Sequence, residues 1–167
     1  VLASIEITNP PTKTAYKYGE SFTPAGMVVA ARYTDGQSRA VTGYTYSPTG
    51  ALKLSDTTIT VSYTEGDVTK TTTQAITVAK VLDRIAVTTP PNRTSYFSGE
   101  QFSTAGMVVT AYYTDGSSAA VTGYTYSPSG ALAAGNTTIT VSYTEGGVTK
   151  TTTQAITVTT INTTLNS

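Results

Sequence analysis

Residues 57–78 read TTITVSYTEGDVTKTTTQAITV, and residues 137–158 read TTITVSYTEGGVTKTTTQAITV. In the first half of each stretch Ile59, Val61 and Tyr63 alternate with Thr58, Thr60 and Ser62. That period of two is a strand with one apolar and one polar face. Glu65-Gly66 supplies a turn, and residues 68–78 return as the partner strand. The return strand contains a conflict. Val68, Ile76 and Val78 share a parity that also places Lys70, Thr72 and Gln74 on their face. A β-bulge within residues 71–73 would switch faces and repair the pattern, so one is predicted there.

Working outward, the duplication extends over the chain at a constant offset of 80. Between residues 23–78 and 103–158, 44 of 56 positions are identical. Between residues 2–22 and 82–102 only 10 of 21 are. A unit this long exceeds a solenoid repeat and is the size of a small domain. The domains predicted are 1–80 and 81–160, with 161–167 as a tail or the start of a further linker.

Within a repeat, Leu2, Ile5 and Ile7 form an opening strand that Pro10-Pro11 closes, because proline offers no backbone donor. Residues 14–18 are extended, and Gly19-Glu20 turns the chain. Residues 27–33 (MVVAARY) are a strong strand with Met27, Val29, Ala31 and Tyr33 on one face. Asp35-Gly36 predicts a hairpin with the positive φ angles of a primed turn. Residues 38–41 return, and residues 43–48 (GYTYSP) lead into a loop around Gly50. The core expected is Leu2, Ile5, Ile7, Phe22, Met27, Val29, Tyr33, Val41, Leu52, Ile59, Val61, Ile76 and Val78, with their counterparts in the second copy.

About seven short strands per copy, frequent turn signals and no 3.6-residue periodicity predict an all-β fold. It is two tandem immunoglobulin-like β-sandwiches, head to tail. Residues 79–81 join them without Gly or Pro, which predicts a semi-rigid pair of roughly 70–80 Å, at ~3.3 Å per strand residue.

Composition narrows the function. The 167 residues include no Cys, His or Trp, and the formal net charge is zero. Disulfide stapling and thiolate metal sites are excluded. There is no basic excess for nucleic acid and no apolar run of membrane-spanning length. Threonine is abundant, at 38 residues, and charge is sparse, a composition of bacterial surface proteins. The abrupt strand-like start reads as a piece of a longer protein.

Four motifs recur in order: Gly-Glu-x-Phe (Gly19, Glu20, Phe22; Gly99, Glu100, Phe102), Gly-Met-Val-Val at 26–29 and 106–109, Tyr-x-Asp-Gly (Tyr33, Asp35, Gly36; Tyr113, Asp115, Gly116), and Thr-Val-Ser-Tyr-Thr-Glu-Gly at 60–66 and 140–146. Together they resemble the group 3 bacterial Ig-like domain over nearly the whole chain, twice. The resemblance implies spacer, stalk or adhesion modules of secreted or cell-surface proteins, mostly of Gram-positive bacteria. It implies no catalytic residues and no cofactor.

The residues themselves point the same way. Ser or Thr nucleophiles need a base, and none of the usual kind exists. Glu20/Glu100, Asp35/Asp115 and Glu65/Glu145 each lie beside glycine in turn sequence, where carboxylates serve the backbone. No Asp-x-Asp loop suits calcium, with Asp35 and Asp115 the nearest candidates, so no metal is expected. Lys70 and Lys150 invite an intramolecular isopeptide bond, but the Asp56 position becomes Asn136. Tyr44, Tyr46, Tyr124 and Tyr126 share faces and could stack on sugar rings if exposed; the simpler reading is that they cover the core.

The expected function is a non-catalytic structural or spacer module of a multidomain bacterial protein, extracellular, with adhesion as an added role. The alternative is a carbohydrate- or host-protein-binding module using the four tyrosines. Expected partners are neighbouring Ig-like or other domains of the same chain, carbohydrate or a host surface protein. Nucleic acid and a membrane span in this fragment are not expected, and the chain should be a monomer.

Overall fold

The computed structural model describes residues 1–160; the tail reading of 161–167 lies outside the described residues. The chain divides into two compact units, Val1–Lys80 and Val81–Ser167. Every regular element among the described residues is a β-strand. In the first unit these are β1 (Leu2–Asn9), β2 (Ala15–Lys17), β3 (Val28–Tyr33), β4 (Ser38–Val41), β5 (Thr45–Ser47), β6 (Thr58–Glu65), β7 (Val68–Ala75) and β8 (Thr77–Ala79). The second unit repeats them as β9 (Leu82–Thr89), β10 (Ser95–Phe97), β11 (Val108–Tyr113), β12 (Ser118–Val121), β13 (Thr125–Ser127), β14 (Thr138–Glu145), β15 (Val148–Ala155) and β16 (Thr157–Thr159).

Each unit is a sandwich of two three-stranded antiparallel sheets, ordered β1-β3-β4 and β5-β6-β7, with a short parallel pair β2-β8. The second unit has β9-β11-β12, β13-β14-β15 and β10-β16. Between the sheets of unit 1 lie Leu2, Ile5, Tyr16, Phe22, Met27, Val29, Ala31, Val41, Leu52, Ile59, Val61 and Ile76. Ile7, Tyr33 and Val78 pack against that cluster from half-buried positions. Tyr16 was not among the residues expected inside. It is buried because both ends of its hydroxyl are used: it donates to the Lys13 carbonyl at 2.9 Å and accepts from the Thr23 amide at 3.4 Å. A buried phenol without such partners would cost stability. Tyr96 makes the same contacts with Arg93 and Ser103.

Three expectations need correction. The predicted bulge within residues 71–73 is absent. β6 and β7 pair without a slip from Thr58↔Ala75 to Glu65↔Val68. The strand keeps its parity and changes partners instead. The Ile76 amide donates to the Thr57 carbonyl and the Thr77 amide to the Thr14 carbonyl, both at 2.9 Å. β8 then pairs in parallel with β2. One long return strand is therefore two, giving eight strands per unit. Lys70, Thr72 and Gln74 do lie on the inner side, half-buried at the edge of the sheet. The register slips occur in β1, between Leu2 and Ser4 and between Ile7 and Asn9. The slip is required because Leu2 and Ile5 are both buried, and three residues apart they would otherwise face opposite sides.

The third correction is the Asp35-Gly36 turn. Among the described residues none other than glycine has positive φ, and Gly36 has φ 83°. The Gly36 amide donates to the Tyr33 carbonyl at 3.0 Å and the Tyr33 amide to the Gln37 carbonyl at 2.9 Å. This is a three-residue loop, a type I turn closed by one left-handed glycine. Asp35 stays on the negative side because its Oδ1 accepts the Gln37 amide at 3.0 Å, the usual Asx arrangement.

Candidate functional site

Glu20 sits at the last position of a four-residue turn. Its amide donates to the Lys17 carbonyl at 3.1 Å, with Gly19 at φ 86° allowing the reversal. Its Oε2 accepts the Lys17 amide at 2.8 Å and the Lys13 ammonium at 2.9 Å. These donors, the backbone amide foremost, hold the Glu20 carboxyl below its ordinary value. Glu100 repeats the geometry, accepting the Phe97 amide at 2.7 Å and the Arg93 guanidinium, and is lowered for the same reason. Leu52 and Leu132 then hydrogen-bond the Glu20 and Glu100 carbonyls at 2.7 Å. The Gly-Glu-x-Phe motif is thus a closed turn that ties a loop to the core.

The second carboxylate, Glu65, ends β6 and gathers three side chains. Tyr33 donates to its Oε2 at 2.7 Å, Arg39 Nη2 at 2.8 Å and Tyr63 at 3.3 Å. Arg39 Nε also donates to the Tyr33 hydroxyl at 2.7 Å, and the guanidinium carbon lies 5.2 Å from the ring centre. The Tyr33 hydrogen bond, followed by Arg39, lowers the Glu65 carboxyl. Burial and Glu65 raise the Tyr33 phenol, with Arg39 opposing. In unit 2, Tyr113 and Tyr143 donate to Glu145 Oε2 at 2.8 and 2.9 Å. The Arg39 position is Ala119. Without that guanidinium, the Glu145 hydrogen bond, burial and the Glu145 charge push Tyr113 up to about 12.

Sequence reasoning noted Glu65 and Glu145 as turn carboxylates but missed the tyrosines and arginine around them. The available signal was the shared inward parity of Tyr33 and Arg39 beside an inward Tyr63.

The remaining candidates occupy less reactive surroundings. Asp35 and Asp115 bind amides of their own turns. Asp56 Oδ2 accepts the Lys53 amide and Asn136 Oδ1 the Ala133 amide, each at 2.8 Å. Carboxylate and carboxamide are interchangeable as acceptors, which accounts for the Asp-to-Asn difference. Among the described residues, no group of three or more carboxylate side chains is placed to hold a metal ion.

Tyr44 and Tyr46 are half-buried and pack against the core of unit 1, as Tyr124 and Tyr126 do in unit 2. The Tyr46 ring meets Phe22 edge-on at 5.1 Å, and Tyr126 meets Phe102 at 5.4 Å. The four rings are spent on packing, with only part of each face available to a sugar.

Comparison with known proteins adds to this geometry. The family model described as Bacterial Ig-like domain (group 3) matches twice, over residues 9–81 and 89–159. Pectate lyase L of Thermoclostridium stercorarium is 30% identical over 122 residues, which is 64% of this chain and 9% of that protein. The chain therefore spans about a tenth of the length of that curated relative. Among solved structures, a chimeric titin Z1Z2 functionalized with a KLER exogenous peptide from decorin aligns over 95% of this chain and 98% of its own, at 11% identity and a TM-score of 0.26. The titin domains Z1Z2 in complex with telethonin align over 97% and 100%, at 14% identity and the same TM-score. At that TM-score neither superposition carries an argument.

Proposed function

The chain belongs to the group 3 bacterial Ig-like domain family, and from that premise we propose that its two units are non-catalytic structural modules that space or present other parts of a multidomain bacterial protein. One observation carries the reading. The carboxylates that recur in both copies are engaged in holding turns and strand ends. A catalytic acid or base needs a proton to exchange with substrate, and a carboxylate fixed by two or three internal donors is poorly placed to do so.

The pectate lyase match supports a modular role. A segment equivalent to 9% of a protein named for its lyase activity is the share expected of a domain appended to something larger. It is compatible with an extracellular setting, secreted or at the cell surface; a Gram-positive origin is what the family resemblance implies. Adhesion through Tyr44, Tyr46, Tyr124 and Tyr126 draws no support from their packing against the core.

Two experiments test the proposal. In the parent protein, residues 1–160 are replaced by an unrelated Ig-like pair of equal length. The parent's activity should persist; its loss would contradict a spacer role. On a glycan array the pair should give no saturable binding. Binding abolished by Tyr44→Ala and Tyr124→Ala would overturn the reading in favour of a carbohydrate-binding module.

A further inference from the structure

A load carried along this chain enters unit 1 at Val1 and leaves past Ala79. Those two points lie at opposite ends of the unit. Val1 sits at the β3–β4 loop, its carbonyl accepting the Thr34 amide at 3.0 Å. The β6–β7 tip is at that same end, where Tyr33 donates to Glu65 at 2.7 Å. β7 starts from this tip and runs through Ile76 into β8, so Ala79 comes out at the far end. Tension between the two points therefore runs along the strands.

Among the described residues β8 bonds to no strand except β2. The pair is parallel, with Ala15↔Thr77, Tyr16↔Val78 and Lys17↔Ala79 in register. At its two ends the Thr77 amide donates to the Thr14 carbonyl and the Tyr18 amide to the Ala79 carbonyl, both at 2.9 Å. β1 stands first in line, held to β3 by a ladder with two slips. Once β1 slides, Pro10-Pro11 hands the load to the first residue of β2, while β8 is pulled by its last. In a parallel pair this drives the strands past each other, and every cross-strand bond must stretch together. Pulled from one shared end, the same pair would open one bond at a time. A single backbone bond is modest, so the number loaded at once decides the resistance.

β2 is only three residues long and is braced on both sides. Tyr16 is buried, its hydroxyl tied to Lys13 and Thr23 and its ring 6.1 Å from Phe22. Beyond β2, Glu20 Oε2 accepts the Lys17 amide at 2.8 Å. The Gly19 amide donates to the Leu52 carbonyl at 2.9 Å, and the Leu52 amide to the Glu20 carbonyl at 2.7 Å. Unit 2 repeats the arrangement, with Ser95↔Thr157 to Phe97↔Thr159 in register and end bonds of 2.8 Å from Thr157 to Thr94 and from Ser98 to Thr159. Residues 2–22 and 82–102 share only 10 of 21 positions, yet Tyr16, Gly19, Glu20 and Phe22 all recur as Tyr96, Gly99, Glu100 and Phe102.

We propose that β2–β8 and β10–β16 are mechanical clamps that hold each unit closed against tension along the chain, with the Gly-Glu-x-Phe turn bracing the short strand. The inference rests on strand topology and not on the spacer reading, so failure of the domain replacement above would leave it standing. Resistance to force is set by the barrier to unfolding, not by equilibrium stability. The clamp and the buried core are therefore separable.

The test is single-molecule force spectroscopy on the full chain at one pulling speed. Held by its two termini, the chain should give two unfolding events at similar force, one per unit. The chain has no Cys, so an introduced one is a unique attachment point. Tyr18→Cys, paired with the C-terminus, pulls β2 and β8 from the same end. Unit 1 should then open at a several-fold lower force, while unit 2, still loaded end to end, keeps its own. Thr77→Pro removes the donor to Thr14 and should lower the unit 1 force under terminal pulling. Glu20→Ala should lower it less, and Glu20→Gln, which keeps an acceptor, least. Ile59→Ala, a core variant outside the clamp, should weaken the unit in denaturant and move the force far less than Thr77→Pro. Equal unit 1 forces from Val1 and from Tyr18→Cys would overturn the proposal. So would a folded Thr77→Pro with unchanged force, or an Ile59→Ala loss of force matching it. If Thr77→Pro does not fold, the two pulling directions decide, since they leave β2 and β8 intact.

Discussion

The two units differ most instructively at the tips of their β6–β7 and β14–β15 hairpins. At the unit 1 tip only Gly66 has positive φ, 59°, and Asp67 follows it. In unit 2 both Gly146 and Gly147 are positive, at 58° and 81°. The first is the angle pattern of a type II′ turn and the second that of type I′. One substitution changes the turn, yet the register beyond it is the same, Glu65↔Val68 and Glu145↔Val148. Both primed turns match strand twist, so the hairpin tolerates either.

The same pattern recurs across the first sheet. Unit 1 joins β1 to β3 through a Glu6–Arg32 ion pair at 2.5 Å. Unit 2 has Ala86 and Tyr112 at those positions and stacks Arg84 on the Tyr112 ring, 3.5 Å from its centre. An ion pair in one copy is a cation–π contact in the other. The core beneath does not change type. Surface contacts vary because each exposed one contributes little; core positions persist because each is worth several-fold more.

The largest effects should therefore be equal in the two copies. Ile59 and Ile139 are fully buried. Ile59→Ala or Ile139→Ala should cost about 2–5 kcal/mol, a large share of the roughly 4–12 kcal/mol expected of an 80-residue unit. Denaturant unfolding monitored separately in each unit should show matching losses. A cost below about 1 kcal/mol in either would place that side chain outside the core.

Next come the glycines just before β3 and β11. Gly26 and Gly106 both have φ 79°, and an added Cβ would meet Thr12 Cγ2 at 2.8 Å in one and Asn92 Oδ1 at 2.2 Å in the other. Gly26→Ala and Gly106→Ala should each cost about 1–3 kcal/mol for the left-handed backbone, with Gly106→Ala the worse of the two. Equal midpoints would show that Asn92 swings aside freely.

A smaller difference concerns the hairpin tips. Gly147→Asp puts a side chain at φ 81° and should cost about 1–2 kcal/mol, or else convert the turn to the type seen in unit 1. Asp67→Gly should change stability by less than about 1 kcal/mol. Thermal unfolding of Gly147→Asp and Asp67→Gly beside the parent chain would separate these outcomes.

The smallest effects are electrostatic. Tyr113 is raised from 10.0 to about 12. An ionisation raised in the folded state leaves its stabilisation intact below pH 10. It is lost as pH rises towards 12, because the unfolded phenol ionises first. Tyrosine absorbance should show this late titration, and Ala119→Arg should bring it down by supplying the cation that opposes the shift at Tyr33. Exposure and salt keep the associated stability change modest.

The sequence made some of these features readable and concealed others. Alternation in residues 58–65 revealed β6 because Ile59 and Val61 are fully buried on one face and the other carries Thr58, Thr60, Ser62 and Thr64. Residues 68–78 gave a false bulge because the rule assumes that a polar inner side chain is an error. At a sheet edge Lys70, Thr72 and Gln74 can lie half-buried with their polar ends near water. The true slip was written in Leu2 and Ile5, whose three-residue spacing cannot face one side of a regular strand. The Glu65 cluster joins residues 26 and 32 positions apart in sequence, a distance no local motif reports. The Arg39-to-Ala119 difference was visible, but its meaning depended on knowing what Arg39 touches.

The central claim is that the recurring glutamates are fixed structural acceptors. Carbon-detected NMR titration of Glu20, Glu65 and Glu100 tests it most directly. Each is lowered in the folded chain by donors named above. Their stabilisation should hold above the ordinary value of 4.5 and drain as pH falls below it, because the unfolded carboxyl takes up its proton first. All three should titrate below 4.5. Any of them at or above that value would mean a carboxylate released from its turn, and would contradict the account.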